Sequence, residues 1–168
     1  MTARVLRPEP LSAKAFAPFG EVVSLEGAEQ IPINYGLTTR FNDLAQVDVS
    51  AEGGRPAVNV FRSRPVALPH RVRVLERHPL GSQLFYPLSP ARFLALVSPG
   101  EAPPCADSLV LFLSDGRQGV NFHRNTWHHY HMVLDREADF LVVDRLGEGN
   151  NLDEHPIDGD VTVVADDT

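Results

Sequence analysis

Two short segments of the chain concentrate the side chains that could do chemistry. The first, ERHPLGSQ, contains Glu76, His78 and Gln83, and the second, GVNFHRNTWHHYH, contains His128 among four of the chain's seven histidines. Histidine together with carboxylate or amide oxygens can bind a divalent metal, and the same groups can move protons near neutral pH without one. These four residues are therefore candidate catalytic residues and, if a metal is bound, candidate ligands.

The charge of this set bears on how firmly it would hold a metal. Gln83 cannot ionise, so two histidines, one glutamine and Glu76 carry less negative charge than a site with a second carboxylate and should bind a metal less firmly. Arg62 and Arg77 are candidates for recognising a substrate carboxylate, because a guanidinium group binds a carboxylate through two parallel hydrogen bonds.

A strand is predicted to carry the first segment. Alternation along HRVRVLERHPLG puts Val72, Val74, Glu76 and His78 on one face, with Leu75 and the intervening arginines on the other. We expect the valine face to line a barrel interior, which carries Glu76 and His78 inward at the strand's end. The alternative is that the Leu75 face covers another sheet and that Glu76 and His78 are polar groups at the rim.

The second segment is predicted to be a turn that leads into a strand. Asn125 tolerates positive φ, so HRNTW indicates a tight turn before a strand that begins at Trp127. Alternation then separates one face from the other, with Trp127, His129 and His131 on the first and His128 and Tyr130 on the second. We expect His128 to do the chemistry and His129, His131 and His155 to be structural or surface residues; a turn with exposed histidines is the alternative.

The rest of the chain indicates an all-β fold in one domain. Apolar runs such as AVNVF, RVRVL, RFLALV, SLVLFL and DFLVVD lie between 14 prolines and 12 glycines, a pattern typical of a sandwich or barrel. LSAKAFAPFG predicts one short helix with Ser12 as its N-cap. A length of 168 residues with 43% hydrophobic content fits one domain better than two.

Composition and charge narrow the function classes. The net charge of -7 comes from the acids after Arg145, because the rest of the chain has 22 - 7 = 15 acids against 15 bases. A neutral body with an acidic tail, expected to be solvated, argues against binding to nucleic acid. Cys105 is the only cysteine, and neither a signal peptide nor a membrane span is evident, so we expect a cytoplasmic protein.

The two segments also carry a resemblance to a known family. LERHPLGSQLFYPL, GRQGVNFHRNTWHH and DFLVVDR, together with INYGLTTRFNDLA and VFRSRP, resemble the ureidoglycolate lyase family of the cupin superfamily. The resemblance implies a cupin-type double-stranded β-helix or jelly-roll barrel with a short N-terminal helix and an additional N-terminal β segment. We expect one domain, with the helix and first strands in 1–50, the barrel core in 55–147 and the acidic tail in 148–168.

The sequence departs from the general cupin pattern at two places. The first motif usually has His-x-His and then Glu, where this chain has Glu76, His78 and Gln83. The second motif, Pro-x-Gly-x-x-His, is represented here by His123, Asn125 and His128. These replacements favour weak metal binding or none.

The resemblance implies an enzyme of allantoin breakdown, a homodimer, that splits (S)-ureidoglycolate into glyoxylate and urea. In that role His78 or Glu76 is the base, His128 the acid and Gln83 an orienting group, while Asn34 and Arg62 hold the substrate's carboxylate or ureido end. Catalysis with a divalent metal, such as nickel, manganese or zinc, and catalysis without one both stay open. So do a metal-dependent cupin enzyme of another class, such as an oxygenase or sugar isomerase, and a ureido-acid sensor.

Overall fold

A short helix precedes the sheets. The structure, a computed structural model, describes residues 3–165, and the one α-helix in this range is α1, Ala13–Phe16. The Ser12 hydroxyl caps it by accepting a hydrogen bond from the Ala15 N–H at 3.2 Å. Phe16 is fully buried, with its ring 5.4 Å from that of Phe112. The predicted N-terminal helix is confirmed, and no described helix is long and apolar enough to cross a membrane.

Strands make up most of the regular structure in residues 3–165. In chain order they are β1 (Arg4–Leu6), β2 (Glu9–Pro10), β3 (Gly20–Val23), β4 (Glu29–Ile33), β5 (Thr38–Asn42), β6 (Arg55–Ser63), β7 (His70–Arg77), β8 (Gln83–Pro87), β9 (Phe93–Ser98), β10 (Val110–Leu113), β11 (Gly119–Phe122), β12 (Trp127–His128), β13 (Met132–Val133), β14 (Ala138–Leu146) and β15 (Asp153–Val163). All five apolar runs named above lie wholly or mostly in strands, namely β6, β7, β9, β10 and β14. The all-β prediction is confirmed.

Two sheets form the barrel. The larger has the order β1-β15-β7-β12-β9-β10-β2, with β13 also paired to β9, and the smaller has the order β3-β11-β8-β14-β6. Most pairs are antiparallel, and β1 with β15 and β10 with β2 are parallel. This curled arrangement agrees with the predicted cupin-type jelly roll. The strands β1, β2 and β3 join these two sheets, whereas β4 and β5 form a hairpin of their own.

Alternate residues of β9 pack into two separate apolar clusters. Phe93 belongs to a cluster between the two sheets, with Phe85 and Phe140, whereas Leu94 belongs to a second cluster on the opposite face of the larger sheet. We call the first the inner core and the second the outer core. The inner core forms the floor beneath the catalytic candidates.

The predicted faces of β7 need one correction. Val72 and Leu75 both pack in the outer core, although strict alternation over three residues would separate them. In the same stretch of β7 the pairing is irregular, because the register of β15 against β7 shifts between Pro156 and Val161. Glu76 nevertheless faces the barrel interior, so the expectation is correct for Glu76 and wrong for Val72.

The acidic end of the chain is largely a strand and not a solvated tail. Residues 153–163 form β15, which lies between β1 and β7. Ile157, Val161 and Val163 are buried in the outer core, while Asp158 and Asp160 are exposed. The prediction missed this because acids at solvent-facing positions hid the apolar positions that bury. Asp166 and Asp167 lie outside the described residues.

Candidate active site

The site begins with a cross-strand pair. Glu76 on β7 lies directly opposite His128 on β12, and a carboxylate oxygen of Glu76 is 3.6 Å from His128 Nε2. His78 follows β7 directly, and its ring centroid is 5.2 Å from that of His128. One ligand atom from each of these three residues lies within 4.8 Å of the others. The strand register therefore brings together the candidates from the two sequence segments.

His128 is held rigidly in the barrel wall. The residue is 2% exposed, and its ring stacks on Phe122 at 4.3 Å with 9° between the planes. Its Nδ1 lies 2.9 Å from the Thr126 carbonyl oxygen, which can only accept, so Nδ1 carries a hydrogen and donates it. Its Nε2 is buried and has no hydrogen-bond partner among the described residues. This nitrogen is directed at the Glu76 carboxylate.

The turn before β12 explains how His128 reaches this place. Asn125 has φ of 65°, as its sequence position predicted, and its N–H donates to the His78 carbonyl oxygen at 3.1 Å. The Thr126 hydroxyl donates to the Phe19 carbonyl oxygen at 2.8 Å. The turn is thus tied to the end of β7, and β12 begins at Trp127 as expected.

Glu76 is a carboxylate surrounded by imidazoles. Its interaction with His128 is the largest cause that lowers its pKa below the usual 4.5, with smaller contributions from His78 and His129. Burial of Glu76 opposes this by raising its pKa, but the lowering prevails. Glu76 is therefore ionised at neutral pH and available as a base or a ligand.

Both ring nitrogens of His78 face oxygen atoms. Nδ1 lies 2.8 Å from the carbonyl oxygen of Asn151, and Nε2 lies 3.2 Å from Oε1 of Gln83, the first residue of β8. The carbonyl oxygen takes the hydrogen of Nδ1, which fixes the imidazole ring. We call the space beside Glu76, His78, Gln83 and His128 the cup. Gln83 is 7% exposed, so its amide is held at the wall of the cup.

Glu76, His78 and Gln83 border a cavity of about 360 Å³. Its lining consists of Glu76, His78, Ser82, Gln83, Asp144, Asn150, Asn151 and Leu152. Asp144 was not among the sequence candidates. A signal was present, because Asp144 shares a face of β14 with the buried Phe140 and Val142, so a carboxylate is carried toward the interior. The cavity gives a small polar substrate access to Glu76, while His128 lines a smaller cavity that Glu76 and Gln83 also border.

The predicted faces of the histidine-rich segment are wrong beyond His128. On β9 the partners run from Val97, opposite His128, to Leu94, opposite Met132, so four steps on one strand match three on the other. This β-bulge reverses the alternation. His131 therefore points into the inner core, stacked on Phe85 at 4.7 Å, and burial lowers the pKa of His131 to about 3.

His129 lies beside Glu76 and His128 but does not line the larger cavity, and His155 lies apart from both. His129 is buried, its ring centroid lies 3.8 Å from that of Tyr130 and 5.3 Å from that of His70, and burial lowers the pKa of His129 to about 4. The ring of His155 is 6.1 Å from that of Trp127, on the outer face of the larger sheet.

The three predicted substrate-binding residues are not gathered at the cup. Arg77 lies over the Trp127 ring at 4.6 Å and donates to Asp153, on the face of β7 opposite Glu76. Arg62 forms a two-bond ion pair with Asp139, with N···O distances of 2.8 and 2.9 Å, on an exposed edge of the smaller sheet. Asn34 is exposed at the tip of the β4–β5 hairpin.

The donor set fits a divalent metal. Glu76, His78 and His128 each offer one ligand atom in close range, and the buried Nε2 of His128 has no other partner among residues 3–165. Gln83 Oε1 lies next to His78 Nε2, so a fourth, neutral ligand is at hand. Imidazole with carboxylate and amide oxygens suits nickel, zinc and manganese.

Comparison with known proteins identifies the family. The sequence profile described as ureidoglycolate lyase matches residues 3–164. A ureidoglycolate lyase of Burkholderia mallei (strain NCTC 10229) is 51% identical over 152 residues, covering 90% of this chain and 88% of the relative. Another, from Pseudomonas paraeruginosa (strain DSM 24068 / PA7), is 44% identical over 163 residues, covering 97% and 96%.

Solved structures are more distant. A dTDP sugar isomerase from Desulfovibrio desulfuricans G20 aligns over 83% of this chain and 86% of its own, with 16% identity and a TM-score of 0.47. The sequence matches, by contrast, span nearly the whole described chain and include the strands that carry Glu76, His78, Gln83 and His128. This chain belongs to the ureidoglycolate lyase family.

Proposed function

We propose that this chain is an enzyme, a ureidoglycolate lyase that cleaves (S)-ureidoglycolate into glyoxylate and urea. The observation that carries the proposal is the pair of Glu76 and His128, held 3.6 Å apart beside a cavity in a member of this family. The substrate is a carbinol-urea, so its cleavage needs one group that accepts the hydroxyl proton and one that protonates the departing urea nitrogen.

The positions of the ring nitrogens favour one assignment of roles. Glu76 is the base at the hydroxyl, because it is ionised and borders the cavity, whereas both nitrogens of His78 are turned to oxygen atoms. His128 is the acid, because a proton on its Nε2 would lie on the side of the ring that faces Glu76. His78 and Gln83 orient the reacting groups. A positioned acid and base contribute roughly 10²- to 10⁴-fold to the rate.

Metal dependence is a separate part of the proposal. Glu76, His78, Gln83 and His128 would hold a divalent ion, with nickel, manganese and zinc as the candidates. Such an ion would act as a Lewis acid that lowers the pKa of the substrate hydroxyl. With an ion bound, Glu76 and His128 would act as ligands and not as base and acid, because a ring nitrogen that ligates a metal carries no proton. The two assignments are therefore alternatives.

The test is direct. Purified protein is incubated with (S)-ureidoglycolate, and urea and glyoxylate are quantified before and after exhaustive chelation, with metal content measured on the same samples. Equal amounts of the two products support the lyase. Activity that disappears with the metal and returns with it assigns the four residues as ligands, and activity that persists without metal assigns them to acid, base and orienter. Absence of products from metal-loaded protein rejects the proposal.

We further propose that the enzyme acts in the cytoplasm, in allantoin and purine breakdown, as a homodimer. Support for the dimer comes from the β4–β5 hairpin, whose tip exposes Tyr35 and Leu37, and from β6, an edge strand that exposes Val58 and Val60. Apolar side chains at both places would be covered by a second copy of the chain. Asn34, at the hairpin tip, could then reach a substrate in the neighbouring subunit.

A further inference from the structure

Arg145 on β14 is a buried cation that bonds to backbone oxygen atoms. The residue is 7% exposed, and none of its hydrogen-bond partners in residues 3–165 is an acidic side chain. Its Nη2 donates to the carbonyl oxygens of Ala51 at 2.9 Å and of Glu148 at 2.8 Å, and its Nε donates to that of Ala51 at 3.1 Å. One guanidinium group therefore joins the segment before β6 to the segment after β14.

Three glycines form the slot that holds this side chain. A methyl group on Gly81 would lie 2.6 Å from Cβ of Arg145, and one on Gly147 would lie 3.0 Å from its Nη2. A methyl group on Gly54 would overlap Nε. Gly81 lies just before β8, so the slot includes a third segment, the one that carries Gln83. The chain is thus built closely around the arginine at three separate places.

The bond to Glu148 is made to a loop that lines the cavity beside Glu76. Residues 147–152 connect β14 to β15, and we call them the rim loop. The last three residues of the rim loop line the cavity, namely Asn150, Asn151 and Leu152. Arg145 is not in the cavity lining, so it can act on a bound substrate only through the residues that it holds.

Asn151 ties the rim loop to the end of β7 by two hydrogen bonds. Its carbonyl oxygen accepts from Nδ1 of His78 at 2.8 Å, and its Oδ1 accepts from the Leu80 N–H at 2.8 Å. The rim loop is therefore held at two points, at Glu148 by Arg145 and at Asn151 by the residues that end and follow β7.

We propose that Arg145 is a positioning residue of this enzyme: its bridge between Ala51 and Glu148 holds the rim loop against the cavity and keeps the Asn151 carbonyl on His78. If the loop were not held, both bonds of Asn151 would loosen, and His78 would lose the acceptor that fixes its ring. Only the kinetic consequence of this inference rests on the proposed function. The hold on the rim loop stands on the hydrogen bonds alone.

Packing alone does not account for a cation at this position. Burying a guanidinium group is costly unless its N–H groups are bonded, so an apolar side chain of similar length would fill the slot at lower cost. What an apolar side chain cannot do is donate to two carbonyl oxygens on separate segments. This difference separates a positioning role from a space-filling one.

The test is the variant Arg145→Met, which keeps an unbranched stem and removes every donor. The readout independent of turnover is hydrogen exchange of the Leu80 amide, whose acceptor is Oδ1 of Asn151. We expect this exchange to accelerate by roughly 10- to 100-fold, the effect of losing a hydrogen bond from a charged donor. In the same variant kcat/KM for (S)-ureidoglycolate should fall by roughly 10- to 100-fold, because a misplacement of about 1 Å can cost about 10²-fold.

A matched variant and a matched amide serve as controls. Arg136→Met removes an exposed arginine that also donates to a backbone carbonyl, that of Pro90 at 2.6 Å, and it should change neither quantity. The Phe93 N–H, like that of Leu80, donates to a side-chain oxygen, the Ser114 hydroxyl at 2.9 Å. Its exchange should accelerate less than that of Leu80, because Phe93 lies in the inner core and reports general unfolding.

Two further variants extend the test. Arg145→Lys returns a donor to the slot, so Leu80 exchange and kcat/KM should recover part of the way, whereas a space-filling role would make methionine at least as good as lysine. If Arg145→Met does not fold, as judged by thermal unfolding, Gly147→Ala takes its place. That variant keeps the arginine and displaces its Nη2, so the same two effects are expected at smaller size.

The results separate this inference from the proposed function. If the wild-type protein releases no glyoxylate, the proposed function fails, and the exchange of Leu80 still decides whether Arg145 holds the rim loop. Unchanged Leu80 exchange in folded Arg145→Met, equal acceleration at Leu80 and Phe93, or full kcat/KM overturns the inference. Faster exchange at Leu80 than at Phe93, with a fall in kcat/KM and partial recovery by lysine, supports it.

Discussion

Glu76 and His128 face each other across antiparallel strands, with a carboxylate oxygen of Glu76 3.6 Å from Nε2 of His128. This nitrogen is buried and has no hydrogen-bond partner among the described residues. The separation is longer than a hydrogen bond and leaves both groups able to take another partner. A substrate or an ion entering from the cavity would be that partner. The reactivity of the site therefore depends on holding Glu76 and His128 near each other without a hydrogen bond between them.

Replacing His128 with alanine should reduce kcat by roughly 10²- to 10⁴-fold, because the acid at the leaving nitrogen is lost. His128→Gln is a companion variant that keeps a polar group of similar size. Both are measured by glyoxylate release, with circular dichroism to show that the fold is kept. Full turnover in a folded H128A protein would eliminate His128 from the chemistry, with or without a metal.

The buried histidines should make stability depend on pH. Burial holds the pKa of His131 at about 3, below the ordinary histidine value of 6.5, so between these values the unfolded chain binds a proton that the folded chain does not. The free energy of unfolding should therefore fall as pH decreases below about 6.5, by up to about 1.4 kcal/mol per pH unit. His129, with a pKa of about 4, adds to this slope.

Urea denaturation at pH 7, 6 and 5 measures the slope. His131→Leu removes the titrating group while keeping a side chain of similar volume among Phe85, Phe93 and Phe140. Its slope should be smaller than that of the wild type. Identical slopes would mean that His131 takes up its proton in the folded state.

The turn at Asn125 should tolerate glycine but not valine. Its φ of 65° is in the left-handed region, which costs roughly 1–2 kcal/mol for an ordinary residue and more for a β-branched one. Asn125→Val should lower the melting temperature and kcat/KM, because the turn delivers His128. Asn125→Gly should keep both close to the wild-type values, and equal loss in the two variants would assign the effect to the asparagine side chain.

The dimer proposal predicts that the hairpin tip controls assembly. The double substitution Tyr35→Ser and Leu37→Ser removes two exposed apolar side chains and should convert the dimer to a monomer in light scattering at micromolar concentration. Val5→Ser is the control, because Val5 is exposed on β1 in the larger sheet, away from the hairpin sequence. A wild-type protein that is already monomeric would contradict the proposal.

The sequence predicted well wherever a local rule decided the structure. The left-handed turn at Asn125, the strand that begins at Trp127 and the cap of α1 at Ser12 all depend on residues close in the chain. The apolar runs predicted strands because alternation and β-branched residues act within single segments. Glu76, His78, Gln83 and His128 come close together because two of the strands that carry them, β7 and β12, are neighbours in the sheet. The roles of these four residues stay predictions.

The wrong face assignments have one physical origin, which is pairing between distant segments. The bulge after His128 and the shift between Pro156 and Val161 arise from the register of partner strands. No periodicity within a single strand encodes such an extra residue.

The position of β15 has a consequence for the order in which the protein is made. His78 has the carbonyl of Asn151 as its acceptor, and β7 lies between β12 and β15 in the sheet. During synthesis the residues that will react are therefore translated long before the backbone that orients them. A nascent chain that ends before Asn151 contains all four candidate catalytic residues and still lacks a working arrangement of them, so activity should appear only when the last strand has left the ribosome.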